Sequence, residues 1–271
     1  MQPSSRARDR RARRLAAPLW LALALAACDR PAPPARHPGH PDVVAAVALQ
    51  RLSLRDQEAL LGPGSSKGGR TRVLVAPDDP SAGPPLAPLV LVEFVDLSVA
   101  PSRAAWPVVA ELRARARTDL RLVVKPIADP ARPISDYTAR AALIAAAHGD
   151  FWRFHDCVLD RSTDPGEVEV EACAALAGVA ATTLRAELTA TATAARLDAA
   201  RGYANAVGVE GSPTFFLDGY PIRGAHPLAR FERALALEAE ANAELRDHGQ
   251  PVPDAAIWVH RMRAARSPQS L

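Results

Sequence analysis

The chain has 271 residues, 48% of them hydrophobic and 5% aromatic, with 33 Lys and Arg against 30 Asp and Glu. That length buries a substantial core and suits one domain with tails. The basic excess sits in residues 1–27, which hold six arginines and one aspartate; without them the balance is 27 against 29, and no basic stripe interleaved with aromatics remains to meet nucleic acid.

Arg6, Arg8, Arg10, Arg11, Arg13 and Arg14 precede the apolar run "LAAPLWLALALAA" and then Cys28. A basic segment, a short apolar stretch and small residues before a cleavage point make an export signal, and the run is too short for a comfortable transmembrane span. Leu25-Ala26-Ala27-Cys28 resembles the lipobox of bacterial lipoproteins, whose cysteine is acylated and becomes the first mature residue. The resemblance implies a lipid-anchored protein of the cell envelope, facing the periplasm or the cell exterior. Several acyl chains hold a protein to a membrane far more firmly than one.

"DRPAPPARHPGHP" is proline-rich and lacks apolar periodicity, so it reads as an extended spacer. Residues 42–61 show helical apolar spacing with Asp42 as N-cap, and "GPGSSKGG" ends that helix. "TRVLVAP" predicts a short strand. "LVLVEF" is nearly all apolar and β-rich, as for a central strand covered on both faces. Residues 103–117 carry Trp106, Val109 and Leu112 on one side and arginines on the other, an amphipathic helix that Pro107 kinks or delays. "LRLVVKPI" is the next buried strand, reached by a right-handed parallel crossover.

From Ile134 to about Ala206 the chain is alanine-rich and helical, punctuated by Gly149, Gly178 and Gly208. Strands return in "TFFLDGYPIRG", where Asp218-Gly219 signals an antiparallel hairpin. "HPLARFERALALEAEANAEL" predicts a last long helix. Trp106, Phe151, Trp152, Phe154, Phe215 and Phe216 read as core, since large aromatics supply much of a core's buried area.

This order, with "APLVLVEFVDL", "AALIAAAHGDFWRFHD" and "GVEGSPTFFLDGYPIRGAHPLARFERAL" in sequence, resembles the DsbA-like branch of bacterial thiol-disulfide oxidoreductases. The resemblance implies an α/β thioredoxin fold with an inserted helical domain. It divides the chain into a signal peptide (1–27), a spacer (28–41), an N-terminal helix and linker (42–70), a thioredoxin-fold domain (71–133 and 207–242), a helical insertion (134–206) and a tail (243–271) with a short helix. Ser212-Pro213-Thr214 fits that family's cis-proline loop, which in active relatives pairs with extended peptide.

The relatives place Cys-X-X-Cys at a helix start, where the helix N-terminus stabilises thiolate. Here that place reads Val99-Ala100-Pro101-Ser102, and no cysteine lies between Cys28 and Cys157, so dithiol chemistry at this turn is excluded. A hydrolase built on Ser102 would need a base, and the nearest histidine in sequence is His148. Cys157 and Cys173 stand on consecutive helices, 16 positions apart: in an oxidising compartment they form a structural bridge, or they remain buried thiols. His155 and Asp156 have no further ligand cluster beside them, so no metal or cofactor is expected. The reading that follows is a binding protein for unfolded or extended polypeptide, or for an envelope protein, at the cis-proline edge. Its alternatives are an oxidoreductase or isomerase working through Cys157 and Cys173, and a structural envelope lipoprotein.

Overall fold

In the computed structural model the described residues are 66–247, apart from positions 68, 69, 72, 86, 117 and 162. The expected signal peptide, Cys28, the spacer, the helix over 42–61 and the short helix of the tail lie outside them. A two-stranded ribbon, β1 (Ser66–Lys67) and β2 (Arg70–Thr71), precedes β3 (Ser81–Ala82), β4 (Leu89–Val95), α1 (Ala100–Arg115) and β5 (Leu120–Pro126). Five helices follow: α2 (Pro133–His148), α3 (Phe151–Leu159), α4 (Glu167–Leu176), α5 (Ala181–Leu188) and α6 (Thr191–Ala206). The chain then forms β6 (Thr214–Leu217), β7 (Tyr220–Arg223) and α7 (Leu228–Asp247).

Five strands make one sheet in the order β3-β5-β4-β6-β7. β4 and β5 run parallel from Leu89↔Leu120 to Val95↔Pro126, joined by α1 as the crossover. β6 pairs antiparallel with β4, β7 with β6, and β3 with β5. The mixed sheet, the βαβ unit, the closing hairpin and α7, with α2–α6 inserted between, are a thioredoxin fold with a helical insertion.

All seven residues of β4 and all seven of β5 are buried, as continuous apolar runs covered on both faces require. Val90, Val92 and Phe94 point to one face and pack with Tyr203, Val207 and Phe216. Leu89 and Leu91 point to the other, against Ala105, Val109, Leu112 and Phe231. The hairpin turn uses positive φ at Asp218 (40°) and Gly219 (87°), and the Asp218 carboxylate accepts the Val90 N–H at 3.0 Å, tying the turn to the central strand.

Two local expectations are corrected. Residues 73–77 form no strand; Val73 and Leu74 are buried instead, and the Leu74 N–H donates to the Tyr203 hydroxyl at 2.5 Å. α1 begins at Ala100, three residues earlier than expected, because Pro101 falls in the first turn, where a missing N–H costs nothing. Its arginines are used within the protein: Arg103 pairs with Asp164, Arg113 with Asp156, and Arg115 with Glu111 and Glu232.

Candidate functional site

β4 delivers Asp96-Leu97-Ser98 into the start of α1. Val99 is the N-cap residue, with φ −106° and ψ 147°, and its carbonyl accepts the N–H groups of Ser102 and Arg103 at 3.1 and 3.3 Å. No side chain caps the helix, and its first turn holds no acid. Val99 is half-buried, Ala100 and Pro101 are exposed, and Ser102 is buried.

Facing this turn is the loop before β6, which contains the cis Ser212–Pro213 peptide. The Ser212 hydroxyl oxygen accepts the Asp96 N–H at 2.6 Å and lies 2.9 Å from the Ser102 hydroxyl oxygen. The Pro213 carbonyl accepts the Gly224 N–H at 2.8 Å, and the Thr214 hydroxyl donates to the Gly211 carbonyl at 2.7 Å. The Asp96 carboxylate accepts from the backbone and hydroxyl of Ser98 (2.9 and 2.7 Å) and from the Ser135 hydroxyl (2.6 Å). Turn, cis-proline loop and the start of α2 are therefore held by one set of hydroxyl and carboxylate contacts.

These elements border a groove of about 500 Å³. Val99, Ala100 and Pro101 form one wall, Ile127, Ala128, Asp129 and Arg132 another, and Arg201, Ala204, Asn205 and Val209–Ser212 the rest. The lining is mainly apolar, and Asp96, Asp129, Arg132, Arg201 and Glu210 add charged side chains to it. No sulfur lines it, and the Ser102 hydroxyl meets another hydroxyl rather than a histidine, so no nucleophile–base pair forms here. Among the described residues no group of three His, Cys, Asp or Glu is placed to hold a metal.

The two remaining cysteines lie elsewhere. Cys157 of α3 and Cys173 of α4 form a disulfide, with Cα atoms 5.5 Å apart, and neither lines the groove. Beside Cys157, the Asp156 carboxylate accepts from Trp106 Nε1 (3.1 Å), from both terminal nitrogens of Arg113 (3.0 and 2.5 Å) and from His155 Nδ1 (3.0 Å). Burial opposes ionisation of Asp156, but the His155, Arg113 and Trp106 hydrogen bonds outweigh it and hold the carboxyl well below the usual range. Burial pushes the His155 imidazole down, so it stays neutral, with Nδ1–H donating.

Glu93 is a buried acid of the sheet that motif reasoning overlooked. It stands in the middle of β4, is 1% exposed, and its Oε2 has no hydrogen-bond partner among the described residues. Burial pushes its carboxyl up to about 8, so it carries a proton at neutral pH. A lone acid inside "LVLVEFV" was the available signal, since an acid is almost never fully buried without cause.

Residues 119–236 match the DSBA-like thioredoxin domain. Over these residues the chain is similar to that domain, and the match begins after β4 and α1. Among solved structures, this DsbA-like domain is similar to a thioredoxin-like oxidoreductase from Silicibacter pomeroyi DSS-3, at 25% identity and a TM-score of 0.55 over 60% of this chain and 94% of that one. BdbD from Bacillus subtilis shares the fold, at 17% identity and a TM-score of 0.53 over 60% and 94% of the two chains. Two curated relatives are Na(+)/H(+) antiporters: NhaA of Herminiimonas arsenicoxydans, 34% identical over 57% of this chain, and NhaA 3 of Salinispora tropica, 30% identical over 77%. The chain spans only 25% and 32% of their lengths. No helix among the described residues is long and apolar enough to cross a membrane.

Proposed function

We propose that this DsbA-like domain has lost dithiol catalysis and holds an extended polypeptide in the groove between the Val99–Ser102 turn and the Ser212-Pro213-Thr214 loop. The supporting observation is the turn itself: Val99 takes the helix N-cap place, and an apolar groove opens beside it with no sulfur in its lining. Extended peptide adds to such an edge through main-chain hydrogen bonds, while alternate side chains enter the groove. Acylation at Cys28 would hold the domain at an envelope membrane, with the proline-rich spacer setting it away from the lipid.

Val99→Asp tests this reading without endangering the fold. An aspartate at the N-cap accepts the Ser102 N–H and adds about 0.5–1 kcal/mol of stability, while it places a charge in the apolar wall. Titration with fluorescent unfolded-protein peptides is expected to give saturable binding, weakened about tenfold in the variant, a loss of roughly 1.4 kcal/mol. Absence of saturable binding by the parent chain would defeat the proposal.

A second reading takes a membrane transporter as the envelope partner. Its support is that the matched antiporters are three to four times longer than the aligned region, so a domain like this one is built into each of them. Co-purification of the full chain with a single transporter, undisturbed by Val99→Asp, would favour it over client binding. The oxidoreductase alternative has no such support, because Cys173 is fully buried. An insulin-reduction assay on the parent chain is expected to show no turnover, and activity abolished by Cys157→Ser with Cys173→Ser would reverse that conclusion.

A further inference from the structure

Asp156 and Cys157 of α3 tie that helix to two neighbours, and His155 before them packs on the helix's own aromatic rings. His155 is fully buried, with its ring centroid 5.7 Å from that of Phe151 and 5.5 Å from that of Trp152. Asp156 reaches α1 through Trp106 and Arg113, and Arg113 also lies over the Trp152 ring at 4.8 Å. Cys157 is bonded to Cys173 of α4. α1 is the helix whose first turn walls the groove, so one turn of α3 stands between a reducible bond and that wall.

The two sulfurs are not equivalent in setting. Cys157 is half-buried, whereas Cys173 is fully buried among Val158, Val170 and Ala174. A thiolate from outside therefore has its access at Cys157, and access decides which sulfur is attacked.

We infer that the Cys157–Cys173 bridge is a redox-modifiable site, opened at Cys157 by an external dithiol, and that its opening is passed through Asp156 to α1. The attacking thiolate bonds to the Cys157 sulfur as the Cys157–Cys173 bond breaks, and Cys173 leaves as a thiolate that takes up a proton. The second thiolate of the dithiol then attacks the sulfur joined to Cys157, closing the dithiol into a disulfide and releasing Cys157, which is protonated in turn. Two electrons and two protons pass to the bridge. With α3 freed from α4, the Asp156 contacts to Trp106 and Arg113 lose the support of one side.

Hydrogen exchange of the full chain, oxidised and after dithiothreitol, tests the relay without reading client binding, so its failure and that of the proposed function are separable. Reduction is expected to leave far-UV circular dichroism unchanged and to raise amide exchange about fivefold in α3, α4 and residues 100–108, with β6, β7 and α7 unaltered. Cys157→Ala with Cys173→Ala should reproduce this pattern without reductant. In Asp156→Asn, reduction should still loosen α3 and α4 but change α1 no further. Brief glutathione treatment followed by alkylation should leave the adduct on Cys157. Exchange in α1 that is the same in both redox states, an adduct on Cys173, or loss of circular dichroism on reduction would each overturn the inference.

Discussion

Glu93 sets how this domain responds to alkaline pH. Its side chain shares a sheet face with Leu91 and Val95, between β5 Val124 and β6 Phe215, where an ionised carboxylate finds no compensation. Its carboxyl is pushed up to about 8 in the folded chain, whereas the unfolded chain releases the proton near 4.5. Between those values the folded state binds the extra proton, so stability falls as pH rises from about 4.5 to about 8 and the loss then levels off. Glu93→Gln is expected to flatten this slope, with urea midpoints that match the parent's near pH 5 and exceed them at pH 8.5 by the equivalent of a few kcal/mol. Equal midpoint shifts at both pH values would contradict it. The burial of Glu93 was legible from the apolar run around it; the absence of a partner was not, because partners come from other strands and helices.

The α1–α3 clamp rests on spacing along one helix and a single carboxylate on the other. Trp106 and Arg113 are seven residues apart, two helical turns, so both face Asp156. Because the folded carboxyl is held low, its stabilisation is fully present above the ordinary value of 3.8 and is lost as pH falls below it. Asp156→Asn is expected to cost about 1–2 kcal/mol at pH 7, the lower part of the range for a charged hydrogen-bonded group because water screens a half-buried pair. Acid titration followed by circular dichroism should show a shallower decline below pH 4 in the variant than in the parent. The amphipathic character of α1 was plain in its sequence, yet nothing there said that its arginines would meet acids from α3, α7 and the loop before α4.

At the scale of the whole molecule, the domain has a thioredoxin fold with no sulfur at the turn that starts α1. Val99 occupies the N-cap, where the helix N-terminus would stabilise a thiolate, and Ser102 lies one turn on, against the cis-proline loop. Val99→Cys with Ser102→Cys is therefore expected to raise insulin reduction above that of the parent, with a first thiol well below the ordinary 8.5. A correctly folded double variant without turnover would show that the turn has diverged in geometry as well as in composition. The Ser102–Ser212 contact would be lost in that variant, a change of about 1 kcal/mol that the fold tolerates.

Local chemistry in the chain determined much of this protein. Continuous apolar runs specified β4 and β5, Asp218-Gly219 specified the hairpin, the glycines at 178 and 208 took the positive φ that ends helices, and the absence of cysteine from residues 29–156 removed dithiol chemistry from the turn. Tertiary structure decided what depends on distance between remote segments. Only folding brings Ser102 to Ser212 across 110 positions, Asp156 to Arg113 across 43, and Cys157 to Cys173 as a bond rather than a pair of thiols. Periodicity records which face of an element is apolar, whereas hydrogen bonds and disulfides form between particular atoms whose separation no local pattern encodes.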